Sequence, residues 1–231
     1  MDKPKKYVLP FTSCNYPESD GKPMGETDEH RDAMFRHIVL LKRYFLGQKV
    51  YVTGDLLLYY EQGNNKKFLV PDLFVVKGIE QKNRRIYKLW STGIAPCVAI
   101  ETTSKKTKSK DTRVKPKLFE LIGIKEYFLI DPTSDYLDPP LQGYRMEKDG
   151  YHALVDEGQG IVSEELQLRL VEEEGMLQFY RLDNGKRLLT AEEEEVSAKQ
   201  KEQEIRQDLN AALDRVRVLE AQLKRRNGTK K

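Results

Sequence analysis

Apolar residues along this chain follow two periods, and the switches between them mark its elements. Met34, Ile38, Leu41 and Phe45 recur at steps of four, three and four, one face of an α-helix expected over 28–46. Thr27 offers an N-cap, Asp28 and Glu29 place negative charge in the first turn, and Gly47 supplies the stop. The pattern then shortens. Val50–Val52 and Leu56–Tyr60 read as strands interrupted at Gly54, and the GNN cluster at 63–65 as a turn. Phe68–Val76 reads as a third strand with Pro71 inside it. Proline donates nothing to a sheet ladder, so the sheet should open there and leave Asp72 at the break. A short helix is expected over IYKLW, and Cys97–Ile100 is a buried strand running into Glu101. Helix should begin near Asp111 or, because Pro116 suits a first turn, a few residues later. Its apolar face would be Leu118, Leu121 and Ile122, with Gly123 at its end. Tyr127–Ile130 is the next strand, closed by Asp131–Pro132.

Beyond Pro139–Pro140 the segments QGYRME, YHALV, LQLRLV and LQFYRL are short and alternating, and DNGK at 183–186 is a hairpin turn signal. Helices interleaved with strands, then antiparallel strands, predict an α/β fold with a mixed sheet flanked by helices. From Thr190 glycine, proline and aromatics vanish until the last few residues. Ile205, Leu209, Ala212, Val216, Leu219 and Leu223 then repeat at steps of four and three, an a/d seam suited to a dimerising coiled coil or to a lone exposed helix. Three regions result: an irregular arm over 1–27, broken by Pro4, Pro10, Pro17 and Pro23, a domain over 28–190, and a helical tail over 191–231.

Composition narrows the setting. A 39% hydrophobic and 33% charged chain of 231 residues has a real core beneath a very charged surface. No apolar run approaches the roughly eighteen residues that span a bilayer, and MDKPKKYVLPFTSC lacks a signal-peptide core, so a cytoplasmic location is expected. Cys14 and Cys97 alone make neither a disulfide framework nor a cysteine zinc site. The net charge of +3 decides little, because distribution matters more than the total. After residue 190 there are 10 basic and 9 acidic residues, a balance that argues against nucleic acid as the tail's partner.

Candidate chemistry gathers between Pro71 and Pro132. Asp72 and Glu101 each stand beside an apolar run, and lysines or Arg113 crowd the stretch after Glu101. One acidic residue at a strand end usually caps a turn or pairs with a lysine. Two in one sheet suit a cation, and carboxylates with water and phosphate oxygens suit magnesium. Zinc fits less well, since His30, His37 and His152 show no ligand spacing beyond the first two lying seven apart on one helix. The GxSxG, GxxxxGK[ST] and GxGxxG motifs are absent. Around Tyr87 and Trp90, Lys82, Arg84, Arg85 and Lys88 form either a nucleic-acid surface or a solvated loop anchored by its aromatics.

PDLFVV followed by IETTSKKT, then D-x-x-x-K and LFELIGIKEYFLIDP, resembles the Uma family of restriction-endonuclease-like proteins, within the PD-(D/E)XK nuclease superfamily. YPESDGKPMGETDEHRD, GDLLLYYEQGN, YKLW and DPPLQGYR extend the similarity over about residues 15–190. The resemblance implies a restriction-endonuclease-like sheet and hydrolysis of a DNA phosphodiester. It also implies Mg2+ (with Mn2+ as substitute) on Asp72, Glu101 and the Thr102 carbonyl, and an acidic Glu29 on the first helix. The chain departs from the superfamily at Thr103, which occupies the slot of the named lysine. Uma members carry a lysine on the following helix instead, which is Lys115 here, with Lys117 as runner-up. A long flexible stem allows such a migration. Lys105, Lys106, Lys108, Lys110, Arg84 and Arg85 would grip the DNA backbone. A homodimer would bring two such sites to one duplex. A nuclease fold does not guarantee cutting, so a catalytically silent DNA- or protein-binding module acting through the tail is the alternative.

Overall fold

The computed structural model describes residues 14–19, 21, 28–104, 107–156 and 158–228, apart from the side chains of Glu29 and of 221–228. The chain forms two compact units, Met1–Leu188 and Leu189–Lys231.

The first unit begins with α1 (Asp28–Tyr44) and β1 (Val50–Thr53), then the short strands β2 (Leu58–Tyr59) and β3 (Phe68–Leu69). β4 (Leu73–Lys77), β5 (Tyr87–Lys88), the single turn α2 (Leu89–Thr92) and β6 (Val98–Thr102) follow. A π-helical turn, Lys110–Val114, leads into α3 (Lys115–Ile122), and β7 (Glu126–Ile130), β8 (Leu141–Glu147) and β9 (Gly150–Leu154) continue the sheet. β10 (Ile161–Ser163), β11 (Leu168–Glu173) and β12 (Met176–Arg181) end the unit.

Six strands form the central sheet in the order β1-β4-β6-β7-β8-β9. β6 and β7 are parallel and all other neighbours antiparallel. A parallel pair needs a long crossover, and α3 with its π-helical turn supplies it. Alternate residues face opposite sides. Val52, Leu73, Val75, Val98, Ile100 and Phe128 share one apolar cluster with Met34, Ile38 and Leu41 of α1, with Phe45 just after it, and with β10–β12. Tyr51, Phe74, Val76, Ala99, Tyr127 and Leu129 share the other with Phe119 and Ile122 of α3 and with β2 and β5. A sheet covered on both faces explains why its strands read as unbroken apolar runs.

Three expectations change. The run Phe68–Val76 is not one strand, because Pro71 divides it between two sheets: β3 pairs with β2 in a small sheet, while β4 joins the central one. The inward stripe of the second helix is Asp111, Lys115, Phe119 and Ile122, while Leu121 is 72% exposed. Two of those four inward positions are charged, so the apolar spacing alone points to the wrong face. IYKLW likewise holds β5 and only one helical turn.

In the second unit α4 (Ala191–Gly228) is one 38-residue helix. Its start is a capping box: the Glu193 N–H donates to Thr190 Oγ1 (3.2 Å) and the Thr190 N–H to Glu193 Oε2 (2.7 Å). Ile205, Leu209, Val216 and Leu219 of the heptad seam are exposed.

Candidate active site

Leu73 of β4 lies opposite Ile100 of β6. One step further along this antiparallel register, Asp72 faces Glu101. Period-two alternation puts both on the side of the sheet that carries α3. Pro71 ends the preceding strand, so the Asp72 N–H is free of any ladder and donates instead to Glu101 Oε2 at 3.2 Å. Asp72 Oδ2 accepts the Thr102 N–H at 2.7 Å and His30 Nε2 at 3.1 Å. Lys115 Nζ lies 2.6 Å from Glu101 Oε2 and 2.9 Å from Asp111 Oδ1, with its side chain 6% exposed.

The donors are unevenly shared. Glu101 Oε2 takes both the Asp72 amide and the Lys115 ammonium, while Glu101 Oε1 is buried without a hydrogen-bond partner among the described residues. Asp72 is similar: both its bonds fall on Oδ2. Among the described residues, Asp72 and Glu101 therefore each keep one oxygen committed to the protein and one without a hydrogen bond. Asp111 Oδ1 touches the ammonium as an ion pair, but outside hydrogen-bond geometry.

Charge is equally uneven, with Asp72, Glu101 and Asp111 grouped around one ammonium. Burial pushes Glu101 well above the usual carboxylate range, Asp72 and Asp111 push the same way, and Lys115 opposes them. Burial also acts to raise Asp72, but the His30 bond, Lys115 and the Thr102 amide outweigh it and hold the group below its ordinary value. For Lys115 burial disfavours the charge, and the fields of Glu101, Asp72 and Asp111 overcome it and keep the ammonium protonated. A divalent cation answers that surplus of negative charge, and bare carboxylate oxygens are the donors hard cations take. The residues present fit Mg2+.

Of the other sequence candidates, Thr102 and Thr103 are buried beside the pair, and Thr103 Oγ1 has no hydrogen-bond partner among the described residues. Glu29 lies in the first turn of α1, but its side chain falls outside the described residues, as do Lys105 and Lys106 altogether. Lys108 and Lys110 are exposed ahead of α3, and Lys117 is exposed on it, unlike Lys115. Arg84 lies over the Tyr51 ring at 4.1 Å and donates to the carbonyls of Glu80 and Lys82, while exposed Arg85 pairs with Glu18. Asp131 is a turn residue: its carboxylate accepts the N–H groups of Thr133, Tyr136 and Leu137.

Sequence reasoning missed two members. His30 was visible as the N-terminal end of the stripe His30–Met34–His37–Leu41, all buried. Asp111 was visible as the residue four before Lys115, the spacing of neighbours on a helix face. A separate group, Glu147, Asp149 and His152, brings its ligand atoms within 4.8 Å of one another on the β8–β9 hairpin. All three are exposed, and His152 Nε2 is already satisfied by Asp149 Oδ1 at 2.8 Å.

The Uma2 family, described as "Putative restriction endonuclease", matches residues 16–209. The chain belongs to the Uma2 family. The match takes in His30, Asp72, Glu101, Asp111 and Lys115 and runs into α4, past the point near residue 190 where the resemblance read from motifs ends. Among solved structures, the chain is similar to one described as a "putative nuclease belonging to DUF820" from Anabaena variabilis ATCC 29413. The TM-score is 0.49 and the identity 16%, over 67% of this chain and 83% of that one. No curated protein matches. Among the described residues, no helix is long and apolar enough to cross a membrane.

Proposed function

We propose that this Uma2 member is a metal-dependent endonuclease that hydrolyses DNA phosphodiester bonds. The observation that carries the reading is Glu101 Oε1, a buried carboxylate oxygen with no hydrogen-bond partner among the described residues, in a site that holds more carboxylates than cations. Asp72, Glu101 and the Thr102 carbonyl would hold Mg2+, with Mn2+ as substitute, and Glu29 would join from α1. An ion held there would supply Lewis acidity toward a phosphate oxygen and would lower the pKa of an attacking water.

The chain's own groups do the rest. His30 and the Thr102 amide hold Asp72 by one oxygen and leave the other available. Lys115, kept charged at neutral pH, orients the attacking water or stabilises charge growing on the phosphate. Lys105, Lys106, Lys108, Lys110, Arg84 and Arg85 would meet DNA phosphates, an interaction that weakens with salt. The domain at 28–190 would act in the cytoplasm, as a homodimer joined through the 191–231 tail, with 1–27 as a separate arm.

Nicking of supercoiled plasmid in Mg2+, with and without chelator, tests the reading on the parent, Asp72→Ala and Glu101→Ala. Cutting by the parent alone, abolished by chelator, is expected. Variants that cut as well as the parent would overturn it. Magnesium binding by the parent without any cutting would instead favour a silent binding module.

A further inference from the structure

Asp111 has no part in the cleavage scheme above, yet it is among the most completely buried charged residues in the chain at 1% exposure. A carboxylate so placed costs several kcal/mol unless it is compensated. Among the described residues its one ion pair is with Lys115, at 2.9 Å.

The backbone around it is unusual in a way that serves that pairing. Between Lys110 and Val114 the helix is a π turn, and the Lys115 N–H reaches back five residues to the Lys110 carbonyl. Pro116 makes this turn favourable, because a proline ring crowds the carbonyl four residues earlier in an ordinary α-helix. From the neighbouring strand the Tyr127 hydroxyl donates to the Asp111 carbonyl at 2.8 Å and pins the turn to the sheet. Asp111 is thus anchored on both sides of its side chain, and the flexible lysine is the movable partner.

We propose that Asp111 is a positioning residue: its carboxylate holds the Lys115 ammonium in place beside Glu101. Glu101 alone would hold the lysine only while its own oxygens were free of other cations. A second, purely protein-directed carboxylate keeps the ammonium in register when Glu101 is engaged elsewhere. Asp111 then acts through Lys115 and touches neither substrate nor metal. This inference rests on the reading that Lys115 works in cleavage, so its first readout is independent of cleavage.

In the 15N-labelled full chain, a buried and paired lysine ammonium exchanges slowly enough to be seen in a proton–nitrogen correlation spectrum. One such signal is expected in the parent, absent in Lys115→Met and broadened away in Asp111→Asn. Plasmid cleavage is the second readout. Asp111→Asn should lower kcat by about 100-fold, the cost of a roughly 1 Å misplacement. KM and the Mg2+ dissociation constant should hold, and Asp111→Asn should add nothing in a Lys115→Met background. Asp111→Ala, checked by circular dichroism, replaces Asp111→Asn if that variant does not fold. An ammonium signal unchanged in Asp111→Asn overturns the proposal. So does a full additional loss in the Lys115→Met background, or weakened Mg2+ binding, which would make Asp111 a ligand. If the parent does not cut at all, the nuclease reading fails, and the ammonium signal still decides the role of Asp111.

Discussion

Gly54 lies so close to Asp72 that a Cβ on Gly54 would fall 1.9 Å from the Asp72 carbonyl oxygen and 2.8 Å from Ile38 Cδ1. The Asp55 N–H donates to the Pro71 carbonyl at 3.0 Å, so the loop after β1 clasps the break that frees Asp72. Gly54→Ala must push the Asp72 backbone away, because the nearest atom is a main-chain oxygen and not the end of a side chain. Overpacking of this kind costs about 1–3 kcal/mol or more. Calorimetry should show a lower Tm, and plasmid nicking a lower rate. A variant matching the parent in both measurements would remove Gly54 from the support of the site.

Metal binding should grade with distance from the bare oxygens. Asp72→Asn and Glu101→Gln remove candidate ligands, whereas His30→Ala removes a hydrogen bond to Asp72 Oδ2 and no candidate ligand. Losing an outer-shell partner typically costs about 10- to 100-fold in affinity or activity. Titration calorimetry with MgCl2 should place His30→Ala in that range and both ligand variants beyond it. Equal affinities across all three would contradict the assignment.

Stability should fall on mild acidification because of a histidine outside the site. Burial pushes His37 from 6.5 down to about 3, the Arg36 charge adds to it, and a Leu177 backbone hydrogen bond and Asp72 oppose it. The ring packs edge-on against Phe179. Below pH 6.5 the unfolded chain takes up a proton that the folded chain refuses, so this group favours unfolding progressively from pH 6.5 down to about pH 3. Above pH 6.5 its contribution is constant. The slope is about 1.4 kcal/mol per pH unit well inside that window. Urea unfolding at pH 7 and pH 5 should show a smaller difference for His37→Leu than for the parent. Equal differences would assign the acid sensitivity to other groups.

Association should depend on the tail. Ile205, Leu209, Val216 and Leu219 expose apolar surface along one heptad seam of α4, and a second copy would cover it. Light scattering should give a dimer for the full chain and a monomer without residues 191–231. A monomer in both cases would end the homodimer proposal.

Much of this was open to reading before any fold was known, because the relevant patterns are local. The stripe of Met34, Ile38 and Leu41 on α1, continued by Phe45 just past its end, follows from helical period alone, and all four are buried. Pro71 interrupts a strand wherever it stands, since it has no N–H to offer, and that placed Asp72 at an opening. Tertiary structure decided the remainder. Whether Phe68–Val76 belonged to one sheet or two depended on which strands each half meets: β2 for β3, and β1 and β6 for β4. The inward helix face that carries Asp111 and Lys115 is invisible to apolar counting, because Lys115 is buried by pairing with Asp111 and Glu101 and not by being apolar. His30 meets Asp72 across 42 positions of sequence. Periodicity shows which side of an element faces in, but which charges meet there is settled only when distant strands and helices close on one another.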